Sequence, residues 1–299
     1  MRITFTAATV AVVVLLASCA STSTRTWELP SGVKAMHVNG YDLAYIERGS
    51  GTPLVLVHGA VNDYRVWDAQ VEAFSPRFHV YALSMRHYYP EKWNGEGKDF
   101  NVQQQADDVI AFVKALNAGK VYLLGHSRGG NIALHVAKKE PELLKALVLA
   151  DPSGLEGLLP GGSPATGDDG NAMRQQVAAR LKAGDVEGGM KMYVEFTTGN
   201  DAWEALTPPQ KQLRIDNAWT VVGDTDRPRT ACEEGKRLTM PVLFINGETS
   251  PPRYPTTSKA FSACVPNATL ATVPVASHGM FRTHPAETNR IVLDFLAKH

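Results

Sequence analysis

The sequence predicts an α/β fold: a mostly parallel central sheet with helices on both faces and an inserted helical lid. Three observations carry this. Short apolar runs alternate with segments of helical periodicity from Val33 to Ala150. The alternation lapses after Asp151, where three helix-like stretches follow a Gly/Pro/Ser-rich loop with no strand between them. It resumes at Pro241. Runs as apolar as Pro53–Val57 and Ala146–Ala150 suit strands covered on both faces, as in parallel sheets.

The elements follow in order. Val33–Asn39 and Leu43–Arg48 read as strands about an Asn39-Gly40 turn. Pro53–Val57 is a buried strand, Trp67–Phe74 a short helix and His79–Leu83 a strand. Val102–Leu116 sets Val109, Phe112, Val113 and Leu116 on one side of a helix. Val121–Leu124 is a strand, Asn131–Lys139 a helix and Ala146–Ala150 a strand. Within the insertion, Asn171–Lys182, Val186–Thr198 and Thr207–Val221 read as helices, with Pro208 and Pro209 in the first turn of the third. Pro241–Ile245 (strand), Thr256–Cys264 (helix), Thr269–Val273 (strand) and Pro285–Lys298 (helix) complete the chain. The predicted organisation is a core of 33–151 and 237–299 with a lid of 152–236.

The amino terminus stands outside this pattern. Arg2 precedes an apolar stretch, Ala7–Ala17, too short to span a membrane comfortably. Leu16-Ala17-Ser18-Cys19 and a Ser/Thr-rich segment follow. This resembles a bacterial lipoprotein signal, residues 1–18, cleaved before Cys19, with lipid on its sulfur and residues 19–32 as a tether. The expectation is an exported protein anchored to a membrane through that lipid. Ala20 follows the cysteine, and no retaining aspartate is seen, which points to an outer membrane where the cell has one.

With 30 basic and 30 acidic residues the net charge is zero, so composition gives no reason to expect a nucleic-acid partner. Hydrophobic residues make up 44%, enough for a large core. Besides Cys19, two cysteines remain, Cys232 and Cys264, consistent equally with a disulfide and with two free thiols.

The chemistry centres on Val121–Gly130, VYLLGHSRGG. Gly125-x-Ser127-x-Gly129 has the spacing of a nucleophile elbow. A serine at a sharp strand-to-helix turn holds a strained backbone, and its neighbours two positions away must be small to avoid collision. The turn offers the hydroxyl to a base, and the new helix aims its N–H groups at the reacting oxygen.

Three further motifs accompany it: Leu56-Val57-His58-Gly59-Ala60, Gly247-Glu248, and Ser277-His278-Gly279 before the last helix. Together, and in this order, they resemble the α/β-hydrolase fold superfamily over Val33 to His299, and within it serine hydrolases of esterase or lactonase type. The resemblance implies a lid after the sixth strand. It implies Ser127 as nucleophile, His278 as base and the backbone amides of Ala60 and Arg128 as oxyanion hole. The family's common acid lies three residues beyond the glycine that ends the seventh strand; here that position is Ser250, which carries no charge. Glu248, in the same loop, is the expected acid, with Asp151 at the end of the sixth strand as the alternative. His58 is expected to shape the oxyanion loop and His126 to point away from the serine. His284 is the fallback base. The Arg128 guanidinium is expected to serve a local carboxylate.

The function implied is hydrolysis of small or medium apolar carboxylic esters or lactones through an acyl-enzyme on Ser127. Amidase or cofactor-free haloperoxidase chemistry stays open, as does a non-catalytic binding protein of this fold. Dehalogenases and epoxide hydrolases resemble the chain overall but use an aspartate at the elbow. No HExxH, CxxC, Walker or dinucleotide glycine pattern occurs, so no cofactor and no metal is expected. The loop Ser84–Pro90 is expected to pack as structure. Met190, Met192, Tyr193, Phe196, Trp203 and Trp219 are expected to form mainly the lid's own core, with some facing the sheet as an apolar pocket. The expected partners are a small-molecule ester and, through Cys19, a membrane. Oligomeric state is not legible.

Overall fold

The computed structural model describes Met1 and residues 25–159, 165–224 and 228–299. The expected cleavage site and Cys19 lie outside the described residues. Among the described residues no helix is long and apolar enough to cross a membrane.

Eight strands form one sheet. They are β1 (Lys34–Val38), β2 (Tyr41–Arg48), β3 (Pro53–Val57), β4 (His79–Leu83), β5 (Val121–His126), β6 (Leu144–Ala150), β7 (Val242–Gly247) and β8 (Ala268–Val273). Their spatial order is β1-β2-β4-β3-β5-β6-β7-β8. β1 and β2 pair antiparallel, as do β2 and β4; every other pair is parallel. The chain reverses direction outward from β3, so the carboxyl ends of β3, β5, β6 and β7 share one edge, where ligands of such sheets bind.

The helices are α1 (Asp68–Phe74), α2 (Val102–Leu116), α3 (Arg128–Lys139), α4 (Ala165–Lys182), α5 (Val186–Thr198), α6 (Pro208–Asp216), α7 (Thr220–Gly223), α8 (Cys232–Gly235), α9 (Arg253–Ser262), α10 (Met280–Thr283) and α11 (Pro285–Leu296). Local chemistry sets their ends. Asn101 caps α2 by accepting from the Gln104 amide, and Asn117 ends it with a left-handed φ of 48°.

The period-two alternation of each strand feeds two cores. Leu54 and Leu56 of β3 pack with Trp67, Phe74 and Phe295 on one face, while Val55 and Val57 pack with Val109, Phe112 and Ile132 on the other. A third cluster lies inside the lid helices α4 to α7 and includes Met173, Val177, Met190, Tyr193 and Trp203.

The structure differs from the sequence reading at several ends. β5 runs on to His126 and α3 begins at Arg128, so the turn between them is a single residue, Ser127. The stretch expected as one helix, Thr207–Val221, is two, α6 and α7. Asn217 breaks it. Its amide donates to Leu213 O and Asp63 Oδ2, and its Oδ1 accepts from the Tyr89 amide. These bonds tie the lid to the sheet edge and hold Asn217 at φ −108°, ψ 10°, outside the helix.

Cys232 and Cys264 form a disulfide, with Cα atoms 5.3 Å apart. It joins the start of α8 to the residue after the C-cap of α9 across a sequence separation of 32. Closing a loop of that size in the unfolded chain stabilises by about 3.5 kcal/mol in the chain-entropy account. The double variant Cys232→Ser/Cys264→Ser should therefore lose stability of that order in urea titrations. An unchanged midpoint would refute the contribution.

Candidate active site

The elbow forms because three backbones meet there closer than any side chain allows. A Cβ on Gly125 would lie 2.2 Å from Gly129 O, and one on Gly129 would lie 2.2 Å from Val57 O and 2.4 Å from His58 O. Only glycine fits either place. Between them Ser127 takes φ 54°, ψ −118°, a strained conformation for a residue with a side chain. The strain is held by the Ser127 amide donating to Ala150 O at 2.9 Å, while Ser127 O accepts from Gly130 N and Ser153 N. Although Ser127 stands at the N-cap of α3, its side chain makes no cap bond, so the hydroxyl is left to the pocket.

His278 lies in the loop between β8 and α10 and lines the same pocket as Ser127. Its Nδ1 is 3.1 Å from Asp151 Oδ2. Glu248, the acid expected from sequence, is turned elsewhere: its Oε2 accepts from the Val275 amide at 2.7 Å. The structure thus brings Asp151, not Glu248, to the histidine. The reason is sheet register. Ala150 of β6 is paired with Ile245 of β7, so the next residues, Asp151 and Asn246, emerge side by side. Asn246 Nδ2 donates to Asp151 Oδ1 at 2.7 Å, and Ser250 Oγ donates to Oδ2 at 2.6 Å. The serine at the family's usual acid position therefore serves the displaced carboxylate. Asp151 is fully buried. Burial pushes its carboxyl up, but the bonds from His278, Ser250 and Asn246 outweigh this and hold it below the usual range.

Two aromatic groups hold the His278 ring. Tyr254 of α9 stacks on it, with centroids 4.3 Å apart and planes 9° apart. His126 lies beside it, 4.6 Å between centroids, and bonds His278 O through Nε2 at 2.9 Å. The expectation that His126 points away from the site is corrected; it lines the pocket and supports the histidine loop. The backbone accepts, so His126 Nε2 carries the proton. His284 bonds its neighbour Thr283 on the exposed surface, away from this group.

The loop after β3, where the oxyanion hole is expected, is braced by His58. This ring is buried, its Nδ1 donating to Gly59 O at 2.8 Å and its Nε2 accepting from the Met85 amide at 3.0 Å. Ala60, next along, lines the pocket. Among the described residues neither the Ala60 nor the Arg128 amide donates to a turn or loop carbonyl. The Arg128 guanidinium is buried and faces the lid, donating to Asp224 Oδ1 at 2.8 Å and Gln105 Oε1 at 2.9 Å.

The pocket has a cavity volume of about 60 Å³. The sheet edge gives it Gly59, Ala60, Asn62 and Ser127, and the lid gives Tyr193, Thr197, Leu206 and Arg214. Of the lid residues singled out in sequence only Tyr193 reaches it; Met190 and Trp203 are lid core, with Met192 and Trp219 packed against that core, and Phe196 is exposed. Ser84–Pro90 packs as structure: Arg86 holds Asp108 with two bonds of 2.9 Å, and Met85 and Tyr88 are buried.

The profile of the alpha/beta hydrolase family matches residues 54–291. Over 105 residues the chain is 35% identical to an (E)-2-((N-methylformamido)methylene)succinate hydrolase of Acinetobacter baylyi, covering 35% of this chain and 39% of that protein. It is 32% identical over 114 residues to a soluble epoxide hydrolase of Corynebacterium sp., covering 38% of this chain and 39% of that one. The matched stretch thus spans about two-fifths of these curated relatives. Among solved structures, an esterase from Exiguobacterium antarcticum aligns with TM-score 0.75 at 18% identity, covering 89% of this chain and 98% of that one. A malate-bound thermophilic esterase from Thermogutta terrifontis aligns with TM-score 0.72 at 22% identity, covering 89% and 97%. At such identities the structural likeness concerns the fold.

Burial pushes the His58 imidazole down to about 4. A histidine unfolds to a value near 6.5. Between these values the unfolded chain binds the extra proton, so His58 favours the fold fully above about pH 6.5 and progressively less toward pH 4. Stability should fall over that window, and His58→Gln should flatten the fall. Urea midpoints measured from pH 7 to pH 4 check this; equal slopes for both proteins would refute it.

Proposed function

Since the chain belongs to the alpha/beta hydrolase family, we propose that it is a serine hydrolase of carboxylic esters or lactones, working through an acyl-enzyme on Ser127. The observation that carries this reading is the Asp151–His278 pair on the pocket that Ser127 opens into. In this mechanism His278 takes the proton from Ser127 as the hydroxyl attacks the carbonyl carbon. Asp151 stabilises the imidazolium and fixes its tautomer, with Nδ1 protonated and Nε2 free for the serine. The amides of Ala60 and Arg128 receive the oxyanion. The alcohol leaves with the proton from His278, and water, deprotonated by the same ring, releases the acid.

The acid in this proposal is Asp151 rather than Glu248. Glu248 holds the turn before His278 through Val275. The cavity is small, about 60 Å³, and this supports short substrates. The names of the relatives, hydrolases and esterases, agree with the reaction class.

A fluorophosphonate probe should label the wild type and not Ser127→Ala. Asp151→Asn should lower kcat on a short p-nitrophenyl ester by about 10⁴, and Glu248→Gln by far less. A folded wild type that resists the probe would sink the serine mechanism, and the opposite ranking of the two acids would return Glu248 to the role.

The amino-terminal reading is likewise proposed: lipid on Cys19 anchors the exported protein to a bacterial membrane, the outer one where the cell has two. Cells fed an alkynyl palmitate should label the wild type and not Cys19→Ser; equal labelling would dismiss the anchor.

A further inference from the structure

Two arginines line the Ser127 pocket. Arg214 comes from α6 in the lid, and Arg282 from α10, four residues beyond His278. Neither guanidinium has a hydrogen-bonding or ion-pairing partner among the described residues. Other arginines of comparable or deeper burial behave differently. Arg65 binds Asp63 and Asp216, Arg86 binds Asp108 and Asp99, and Arg128 binds Asp224.

Among the described residues, the carboxylates of Asp63 and Asp216 are already engaged elsewhere. Asp63 is the acid whose charge Arg214 feels most. Its oxygens are already taken by Arg65 Nε and Nη2 and by Asn217 Nδ2, at 2.7 to 2.9 Å. Asp216 is held by Arg65 and Gln212. Burial, and then the like charge of Arg282, press Arg214 down to about 10, a value that still leaves it cationic near neutral pH. Two unmatched cations in a confined pocket cost free energy, and an anion placed between them would recover it.

We propose that the substrate carries a carboxylate beside its scissile ester, and that Arg214 and Arg282 hold it while Ser127 attacks. This rests on the ester-hydrolase reading and narrows its substrate class from apolar to acidic esters. Guanidinium and carboxylate match as planar, two-pronged partners. One arm from the lid and one from the histidine-bearing segment also make the site sensitive to the position of both. The hydrolysis itself is unchanged: the ester C–O bond breaks, water supplies the hydroxyl and proton, and the second carboxylate is a spectator that orients.

The test compares p-nitrophenyl hemisuccinate with p-nitrophenyl 4-methylvalerate, its uncharged isostere, and 3-carboxyphenyl acetate with phenyl acetate. Wild type should favour the acidic member of at least one pair in kcat/KM by about tenfold or more. Arg214→Gln and Arg282→Gln should each erase most of that ratio, and the lysine variants should restore part of it. Preference for the neutral ester in both pairs, or ratios unmoved in both glutamine variants, would overturn the proposal. A second readout does not depend on turnover. Calorimetric titration of Ser127→Ala with glutarate should show binding that Arg214→Gln removes. Absent binding, or inorganic phosphate bound equally well, would count against a carboxylate subsite. Failure of the serine mechanism alone would look different, with glutarate bound normally while the wild type resists the fluorophosphonate probe.

Discussion

The fold is organised by one close approach. Gly125, Gly129 and the carbonyls of Val57 and His58 pack so tightly that no methyl group fits between them. This contact lets β5 turn into α3 over a single residue and keeps β3 alongside. Everything the pocket contains is measured from that point. The Ala60 loop leaves β3 there, Ser127 crowns the turn, and Ala150 on β6 anchors the serine amide. A strained serine needs surroundings that over-determine it, and here the surroundings are backbone and therefore rigid.

The carboxylate is the second fixed point, and it shows how a strand end acts. Asp151 is buried, carries a left-handed φ of 40°, and receives bonds from three side chains. A charge so placed is tolerated because each oxygen has donors. Its position beside β7 explains why Ser250 needs no charge. The imidazole responds to a carboxylate at hydrogen-bonding distance, and either strand end can supply one.

Much of this was legible in the sequence, and the exceptions have physical causes. Apolar runs bounded by turn residues located the strands to within a few residues, because period and burial are local properties. The elbow and His278 were visible because backbone geometry demands particular residues at particular spacings. The partner of His278 was not visible, because it depends on which strand lies beside β6 and in what register. Glu248 was favoured by nearness in sequence, yet its side chain is drawn to the Val275 amide. Tyr254 sits in an ordinary helix, and its stacking on the histidine has no sequence signal. Arg214 and Arg282 lie 68 residues apart in number but line one pocket, a juxtaposition only the folded lid creates. The break at Asn217 escaped because helical periodicity continues through it, while its side chain answers to Asp63 and Tyr89 from the far side of the chain.

The ion pair between Arg128 and Asp224 has a mechanical meaning. It runs from the first residue of α3 to the residue after α7, with both side chains almost wholly buried. Swinging the lid away as a rigid body would part the two charges, so this pair must break before the lid can leave α3. The pair therefore pins the lid to the helix that starts at the elbow.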